Sequence, residues 1–413
     1  MSTEKSYMPE GAQLKAFIDS RHRWGMIWQS VFLLATCIGI LALTALIYNV
    51  VDSAFGLVVV EDRIDPATIS TRPLEELSKD ELVAILQANL SEGAFNKLNT
   101  DQPYTSRSKE NVLEVVYERV VRREVEGSYS LTDSLLRRAE IEQEVAQENP
   151  NAKLIFRSWL TPQFLTTPMA SKPEFAGIRT ALLGSIALVM LTMLFALPVG
   201  IGAAVYLHEY ASQSFIYKLI ETNIYNLAGV PSIVYGMLGL AVFVRALEGL
   251  TSGAWFGVTD SNGRTILSAS MTMALLILPI IIVNAKEAIK AVPDSFRQAA
   301  YGLGATKWQT IWAHVLPNAL PGILTGSILA ISRAIGETAP LVVVGASTFI
   351  TVDPDSVFSK FTALPIQIYS WTARPQAEFR NIAAAAIIAL LVLLLTMNAS
   401  AIILRNRFSR RSY

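Results

Sequence analysis

The chain has 413 residues, of which 52% are hydrophobic and only 16% are charged, and its mean hydropathy is +0.40. Soluble domains carry about 25% charged residues, so this composition indicates a membrane protein. Lys+Arg and Asp+Glu both number 34, and this balance gives no indication of a nucleic-acid partner. The single cysteine, Cys37, excludes an internal disulfide.

Six stretches are predicted to cross a bilayer as helices, since about 20 mostly apolar residues suffice. They lie at residues 24–51, 177–207, 220–245, 265–285, 319–349 and 381–404. The first is too long for a signal-peptide core and is interpreted as a retained signal anchor. The third is interrupted by Gly229-Val230-Pro231, which is either a kink that shapes packing or a break that exposes backbone groups to a cavity.

Basic residues flank the outermost spans and predict the topology. Lys15, Arg21 and Arg23 precede the first span, and Arg405, Arg407, Arg410 and Arg411 follow the last. The positive-inside rule therefore places residues 1–23 and 405–413 in the cytoplasm, and six spans are consistent with both ends on one side. The same count places residues 52–172 outside and the loop 286–318 inside.

The segment 52–172 is a long polar insertion. Between Glu61 and Arg157 it has 19 acidic and 13 basic residues, a net charge of about −6. Three stretches have helical periodicity, and Ser78 precedes Glu81 at the spacing of a capping box. A mostly helical extracytoplasmic domain is predicted, with a solvated spacer as the alternative. A catalytic role is not expected, because the segment shows no metal-ligand cluster and no nucleophile–base pair.

The loop before the fifth span reads RQAAYGLGATKWQTIWAHVLPNALPGI from Arg297 to Ile323. Pro293 ends one helix, and Asp294 or Ser295 can cap the next, which reaches residue 301. Gly302 and Gly304 allow a sharp turn with positive φ, and Thr306 with Gln309 forms a second capping box. The second helix is predicted to reach Pro317. The pattern predicts a rigid amphipathic hairpin, with an ordinary connecting loop as the alternative.

The spacing within this loop resembles the coupling loop of ABC importer permeases. Their pattern is Glu-Ala-Ala, three residues, Gly, nine residues, an aliphatic residue, one more residue, and Leu-Pro. Here Gln298 replaces the Glu and His314 replaces the aliphatic residue. In that family the loop docks on a separate ATP-hydrolysing subunit. The resemblance therefore implies a coupling role for Gln298, Ala299, Ala300, Gly304, Lys307, Trp308, Leu316 and Pro317.

The resemblance also implies the fold class: an all-α membrane protein with six transmembrane helices of the type I ABC importer permease fold. A mostly helical extracytoplasmic insertion separates helices 1 and 2. The sequence lacks a G-x-x-x-x-G-K-[ST] phosphate loop. The chain is therefore expected to be a transport subunit that binds no cofactor itself, with ATP and magnesium held by a partner ATPase.

Three further motifs resemble the phosphate-import permeases of the PstA type, over residues 177–404. They are LPVGIGAAVYLHEYA (Leu197–Ala211), LAGVPSIVYGMLGLAVFV (Leu227–Val244) and LPGILTGSILAISRAIGETAPLVVVGA (Leu320–Ala346). Ala339-Pro340-Leu341 favours the PstA type over the related PstC type. The resemblance implies inward phosphate transport by alternating access across the bacterial inner membrane, with both termini cytoplasmic.

The implied partners are a homologous permease of the PstC type, an ATPase dimer of the PstB type and an extracytoplasmic phosphate-binding protein of the PstS type. An importer for molybdate, tungstate or sulfate is the alternative within the same mechanism. A membrane-bound sensor and an ATP-independent secondary transporter are the alternatives from other classes. The sensor requires a cytoplasmic signalling domain, whereas the secondary transporter would leave the coupling loop without a purpose.

Polar residues within the spans are the candidates for the transport pathway. Arg333 and Glu337 are four residues apart in an apolar span, either as a structural ion pair or as a phosphate contact. Ser332 and Thr338 offer hydroxyl donors. Asn284 occupies the inner end of the fourth span, where many relatives carry a basic residue, and Lys286 lies on a different helix face.

Two other groups of residues are interpreted as structural. Gly322 and Gly326 are expected to allow close packing of helices. His208, Glu209 and Tyr210 are interpreted as anchors at the cytoplasmic membrane interface, and the three scattered histidines are not expected to bind metal.

Overall fold

A computed structural model describes residues 11–70, 72–101, 103–104, 107, 109–150, 152–258 and 262–409. Within them the α-helices are α1 (Ala12–Ala54), α2 (Pro66–Ile69), α3 (Lys79–Asn89), α4 (Glu92–Asp101), α5 (Lys109–Val116), α6 (Leu131–Leu136), α7 (Arg138–Glu148), α8 (Pro162–Thr166), α9 (Arg179–Val205), α10 (Phe215–Ala228), α11 (Ser232–Gly239), α12 (Glu248–Thr251), α13 (Ile266–Lys290), α14 (Asp294–Gly302), α15 (Lys307–Thr310), α16 (Leu316–Gly336), α17 (Ala339–Val344), α18 (Leu364–Thr372) and α19 (Ala377–Ser409).

Other regular segments connect or extend these helices. The strands are β1 (Phe55–Asp62), β2 (Arg123–Ser128) and β3 (Lys153–Ser158). Short 3-10 helices occupy Leu74–Glu76, Pro173–Phe175 and Ala254–Phe256, and π-helical turns occupy Tyr117–Val121, Tyr206–Tyr210, Leu240–Ala246 and Ile311–Val315. Two compact units are distinguished, Met1–Asp52 and Ser53–Tyr413.

Five helices of the described chain are long and apolar enough to cross a membrane. They are Leu14–Ala54, Arg179–Tyr210, Ile266–Lys290, Lys307–Gly336 and Ala377–Arg407. The pair Phe215–Ala228 and Ser232–Ala246 provides a sixth span only if its two halves, bent by 103°, count as one. The protein is therefore a helical, multi-pass membrane protein, as the sequence predicts.

The fifth span ends earlier than the predicted residue 349. Its helix ends at Gly336, and Glu337 has the extended torsions φ −77° and ψ 122°. A continuous helix would require an N–H from Pro340 and would bring its ring against the carbonyl of Gly336. The chain instead restarts as the short α17, with Pro340 in its first turn. Glu337 and Thr338 consequently lie in a break between two helices, not on a helix face.

Two other helices extend beyond the spans predicted for them. The fourth begins at a capping box formed by Thr265 and Ser268 and continues to Lys290 instead of residue 285. The sixth occupies all of α19, instead of residues 381–404. Charged residues at these ends prolong a helix without difficulty once they lie outside the apolar layer.

The insertion contains a sheet that the sequence analysis did not predict. β1 lies between β2 and β3 and pairs antiparallel with both. Val58, Val59 and Val60 of β1 are buried, as suits β-branched residues in a central strand. One of the stretches with helical periodicity, NVLEVVYERVVRREV (111–125), is helical only as far as Val121, where Arg122 adopts φ 57° and the chain enters β2. The capping box of Ser78 and Glu81 is confirmed at the start of α3.

The insertion and the helical bundle share one hydrophobic core. Val58 of β1, Trp159 and Phe164 pack in a cluster with Trp371 of α18 and Ile382 of α19. The amide of Asn381 also donates a hydrogen bond to the Ser128 hydroxyl of β2, at 2.7 Å. The boundary predicted at residue 172 therefore does not separate two independent cores.

The centre of the bundle is α13. In the most apolar 18-residue stretch of α13, 67% of the residues are buried, whereas the corresponding share for α19 is 6%. Met273 and Ile277 of α13 pack with Leu188 of α9 and Ala330 of α16. A side chain added at Gly200 of α9 would lie 2.5 Å from Ile281, so that glycine allows α9 and α13 to approach closely.

Candidate functional site

The loop between the fourth and fifth spans forms the predicted helical hairpin. α14 is followed by a turn in which Gly304 has φ 80°, a conformation that favours glycine. Gly302 is instead the last residue of α14. Thr306 then caps α15: its hydroxyl accepts a hydrogen bond from the Gln309 amide at 3.4 Å, and its own amide donates to Oε1 of Gln309 at 2.8 Å. The capping box thus sets the direction in which the second helix leaves the turn.

The second arm of the hairpin does not end at Pro317. Helical structure runs unbroken from Lys307 to Gly336, through a π-helical turn at Ile311–Val315 and into α16. The wider π turn lies directly before Pro317, where a regular α-helix would bring the proline ring against a preceding carbonyl. The hairpin is therefore rigidly continuous with the fifth span.

Arg297 fastens the first arm to the bundle. Its guanidinium donates hydrogen bonds to Glu209 Oε1 at 2.8 and 3.1 Å, and to the carbonyls of Ile289 and Val292 at 3.0 and 2.8 Å. A further bond reaches Asp294 at 3.1 Å. The side chains of Arg297 and Glu209 are 11% and 6% exposed. One buried cation thus joins α14 to the π-helical turn that follows α9 and to carbonyls at the end of α13.

The interpretation of Glu209 as an interfacial anchor is therefore incomplete, because this carboxylate is the buried partner of Arg297. Its neighbour Tyr210 also contacts the hairpin, with Lys307 Nζ 5.0 Å from the centre of its ring. The sequence signal was a carboxylate at the end of an apolar span, and nothing local indicated a partner 88 positions away.

Several of the predicted coupling residues are exposed. Gln298, Ala299 and Lys307 face solvent, and Trp308 is 57% exposed. Four exposed apolar side chains at the tip and second arm of the hairpin are here called the coupling surface, after the predicted role of the loop: Tyr301, Leu303, Trp308 and Trp312. Such a cluster of large apolar side chains is typical of a protein-binding surface.

The remaining coupling residues are in other environments. Ala300 is buried and packs inward, whereas Leu316 is half-buried and Pro317 lies exposed within the helix. The rings of Trp308 and Trp312 stack at 5.7 Å between centroids, which extends the coupling surface along the second arm.

The predicted pathway residues do not form one cluster. Arg333 Nε lies 3.2 Å from Glu337 Oε1, and these side chains are 39% and 18% exposed. Ser332 donates to Asn398 of α19 at 2.9 Å, and Asn284 donates to the Ile280 carbonyl of its own helix at 2.8 Å. Arg333 and Glu337 thus form a pair at the break after α16. Ser332 instead links α16 to α19, and Asn284 lies where α13 packs against α16.

Thr338, the fifth pathway candidate, is half-buried beside Glu337 in the same break. Asn284 is at another level of the bundle. A side chain added at Gly326 would lie 2.3 Å from Asn284 Cβ, and one at Gly322 would lie 2.7 Å from Ala288 Cβ. The two glycines therefore allow α13 and α16 to pack closely, as predicted. Arg333 is seven residues further along α16, about 10 Å away along the axis.

The third span is broken between α10 and α11. The Tyr235 hydroxyl of α11 donates to the Leu227 carbonyl of α10 at 2.8 Å and so bridges the bend. Gly236 and Gly239 bring α11 against α17 and α13, since added side chains would lie 2.7 Å from Pro340 and 2.1 Å from Thr272. The predicted interruption is therefore a sharp change of direction within one segment.

Metal chemistry finds no support in the described part of the chain, where no group of three or more His, Cys, Asp or Glu residues is arranged to hold an ion.

Comparisons with known proteins identify the family of this chain. Residues 196–412 match the family described as binding-protein-dependent transport system inner membrane component. A probable ABC transporter permease, YqgI of Bacillus subtilis, is 31% identical over 59% of this chain and 83% of that protein. The phosphate transport system permease protein PstA of Mycobacterium leprae is 36% identical over 58% of this chain and 74% of that protein.

Among solved structures, a bacterial ABC transporter involved in alginate import aligns over 67% of this chain and 91% of that chain, with 17% identity and a TM-score of 0.45. The family match alone covers more than half of the sequence and includes the hairpin and the last three spans. This chain belongs to the family of binding-protein-dependent transport system inner membrane components and is an ABC importer permease.

Proposed function

We propose that this chain is the PstA-type permease subunit of an ATP-driven phosphate importer. The observation that carries the transport mechanism is the hairpin, which is rigid, exposes an apolar coupling surface and continues without a break into the fifth span. The similarity to the M. leprae phosphate permease supports phosphate as the substrate. The chain is a transport subunit, and hydrolysis of ATP with magnesium takes place on a separate ATPase dimer of the PstB type.

The hairpin gives the partner ATPase a direct mechanical connection to three spans. Its second arm is one helix with the fifth span, and Arg297 bonds the first arm to the ends of α9 and α13. When the ATPase dimer closes, the hairpin moves with the subunit on which it docks. These spans then move together, because a buried ion pair resists separation in a medium of low polarity.

The inward path requires two orientations of the permease. A phosphate-binding protein of the PstS type delivers the anion on the extracytoplasmic face, and a homologous PstC-type permease forms the other half of the pathway. Both termini and the hairpin lie in the cytoplasm of this bacterial inner-membrane complex.

Arg333 is the candidate anion contact of this chain. Its side chain is 39% exposed and is paired with Glu337 at a break in the helix. A guanidinium binds phosphate oxygens through two parallel N–H donors, and phosphate would displace Glu337 from this fork. Thr338 lies in the same break and offers a hydroxyl donor.

The test is anion-stimulated ATP hydrolysis by the complete complex in liposomes, with its binding protein. Phosphate, sulfate and molybdate are compared for the native complex, for Arg333→Ala and for the exposed control Arg245→Ala. We expect stimulation by phosphate alone, its loss in Arg333→Ala and its retention in Arg245→Ala. Stimulation by molybdate or sulfate instead of phosphate would establish the alternative of another oxyanion importer. Unchanged phosphate stimulation in Arg333→Ala would remove this residue from the pathway.

A further inference from the structure

The two halves of the broken third span are held very differently. α11 has three buried residues, Tyr235, Gly236 and Gly239, and its glycines touch α17 and α13. The structure describes every residue of α10, and none of them is buried. At 14 residues, α10 is about 21 Å long and is too short to cross a bilayer alone. α11 is thus a fixed part of the bundle, whereas α10 lies on its surface.

One face of α10 rests on α13. Tyr217, Glu221, Ile224 and Ala228 are the half-buried residues of the helix, and their spacing of four, three and four places them on one stripe. Most of the remaining residues are exposed, including Phe215 at 79% and others on the opposite side. The position of α10 therefore depends on the contacts of this single stripe.

The strongest contact on the stripe is an ion pair. Lys286 of α13 donates a hydrogen bond to Glu221, and the two side chains are 12% and 29% exposed. Lys286 Nζ also lies 5.4 Å from the centre of the Tyr217 ring, and the Tyr217 hydroxyl is 3.5 Å from Glu221 Oε1. A charge shielded from water to this extent requires its partner, so separation of the pair has a substantial cost.

The connection between the halves permits rotation. Residues 229–231 lie between the two helices, and Pro231 cannot donate a helical hydrogen bond. A side chain added at Gly229 would approach only the Asn226 carbonyl, at 3.5 Å. The Tyr235–Leu227 hydrogen bond links α11 to α10 across this bend. A change of angle here breaks this hydrogen bond, the ion pair and the packing of the half-buried stripe on α13.

We propose that Glu221 and Lys286 are a positioning pair that holds α10 against α13 in one of the two transport orientations, with residues 229–231 as the hinge. In the other orientation the pair separates and α10 swings away from α13. The inference rests on the proposed function, because it assigns the pair to the transport cycle. It also accounts for Lys286: in this orientation its charge is neutralised by Glu221 and is not presented to an anion.

The experiment measures the α10–α13 distance directly. Spin labels are placed at two exposed positions, Thr222→Cys on α10 and Glu287→Cys on α13, after removal of the native thiol by Cys37→Ala. The complete complex in liposomes is measured without phosphate or ATP. The variants are Glu221→Gln, Lys286→Gln, the neutral double Glu221→Gln/Lys286→Gln and the reversed double Glu221→Lys/Lys286→Glu. Lys290→Gln, an exposed lysine on the same helix, is the matched control.

We expect a narrow distance distribution for the native complex, the reversed double and the control. The single variants and the neutral double should show a second, longer distance. Their ATP hydrolysis without binding protein should rise about fivefold or more, at the lower end of typical coupling between sites. The neutral double leaves no unpaired charge behind, so it reports on the pair even if a single variant does not assemble.

Native-like distances in the neutral double would overturn the proposal, and so would a reversed double that behaves like the neutral one. The distances are measured without an anion, so they test the pair independently of the substrate. A complex that phosphate fails to stimulate, but whose distances follow the expected pattern, would refute phosphate import and retain the positioning pair.

Discussion

Removal of the Glu209 carboxylate should weaken the attachment of the first arm of the hairpin to the bundle. In Glu209→Ala the Arg297 guanidinium loses two hydrogen bonds, of 2.8 and 3.1 Å, and its buried counter-ion. The carbonyls of Ile289 and Val292 still accept hydrogen bonds from the guanidinium. The remaining carboxylate, Asp294, is 83% exposed and faces water. Loss of one partner from a buried ion pair costs about 3–5 kcal/mol, so we expect destabilisation of this size.

The expected functional result is uncoupling. The ATPase subunits of the Glu209→Ala complex should hydrolyse ATP at or above the native basal rate, while stimulation by the loaded binding protein is lost. Glu209→Gln retains an acceptor oxygen and loses only the charge, so its loss of stability should be smaller, about 1.5–3 kcal/mol. The free energy of unfolding and the stimulated hydrolysis rate are measured for both variants in the complete complex.

Asp294→Ala is the matched control, because it removes a carboxylate from the same guanidinium at an exposed position. Exposed ion pairs contribute about 0–1 kcal/mol, so coupling should persist. Equal losses of stability and coupling in Asp294→Ala and Glu209→Ala would refute the reasoning, since burial of the Glu209 pair would then have no consequence.

Three further predictions concern other parts of the molecule. Gly326→Val places a side chain within 2.3 Å of Asn284 Cβ, so α13 and α16 should separate with a loss of about 1–3 kcal/mol or more, measured by thermal unfolding against the exposed-position control Gly336→Val. Burial raises the pKa of the Glu174 carboxyl above its ordinary value of 4.5, against the lowering effects of its own backbone N–H and of Arg157. The folded state thus holds this proton more tightly, and native stability should fall as pH rises from 4.5 through the raised pKa. Glu174→Gln should show a smaller fall. Equal pH profiles of stability for the two proteins would show that Glu174 does not cause the fall. Ser78→Ala should destabilise the start of α3 by about 1 kcal/mol, visible as faster amide exchange at Glu81, with an unchanged rate counting against the capping box.

The hairpin was predictable because its signals are local. The Thr306–Gln309 capping box and the positive φ of Gly304 depend on residues within a few positions, and both are present in the structure. The Arg297–Glu209 pair was not predictable, because its members lie 88 positions apart and meet only once α9, α13 and α14 pack. Local sequence signals predict the shape of the hairpin, whereas its attachment to the bundle depends on tertiary packing.

The spans show the same division. Apolar length located the helices, but the end of the fifth span depends on Pro340, and the 103° bend of the third depends on contacts of Tyr235 and of the α11 glycines. Asn284 was a pathway candidate because it occupies the position in the fourth span where many relatives carry a basic residue. The structure shows it against Gly326, where a small polar side chain fits between two helices.

The sheet was missed for a different reason. β1 follows α1 directly, with Ala54 ending the helix and Phe55 beginning the strand, so no turn residues mark its start. Its valines are also compatible with a continued apolar helix, and only pairing with β2 and β3 distinguishes the two. Pairing between strands that lie far apart in the sequence gives no local sequence signal.

The core shared by the insertion and the last helices has a consequence for biosynthesis. Ser128 and its hydrogen-bond partner Asn381 are 253 positions apart, and Val58 packs in the same cluster as Ala386. A ribosome adds about 5–20 residues per second, so the early strands wait many seconds for the final helix that covers them. A nascent chain interrupted before that helix would present an apolar sheet surface to water, where chaperones and proteases recognise unfinished proteins. The first strand of this permease is therefore buried only when its last helix has been made.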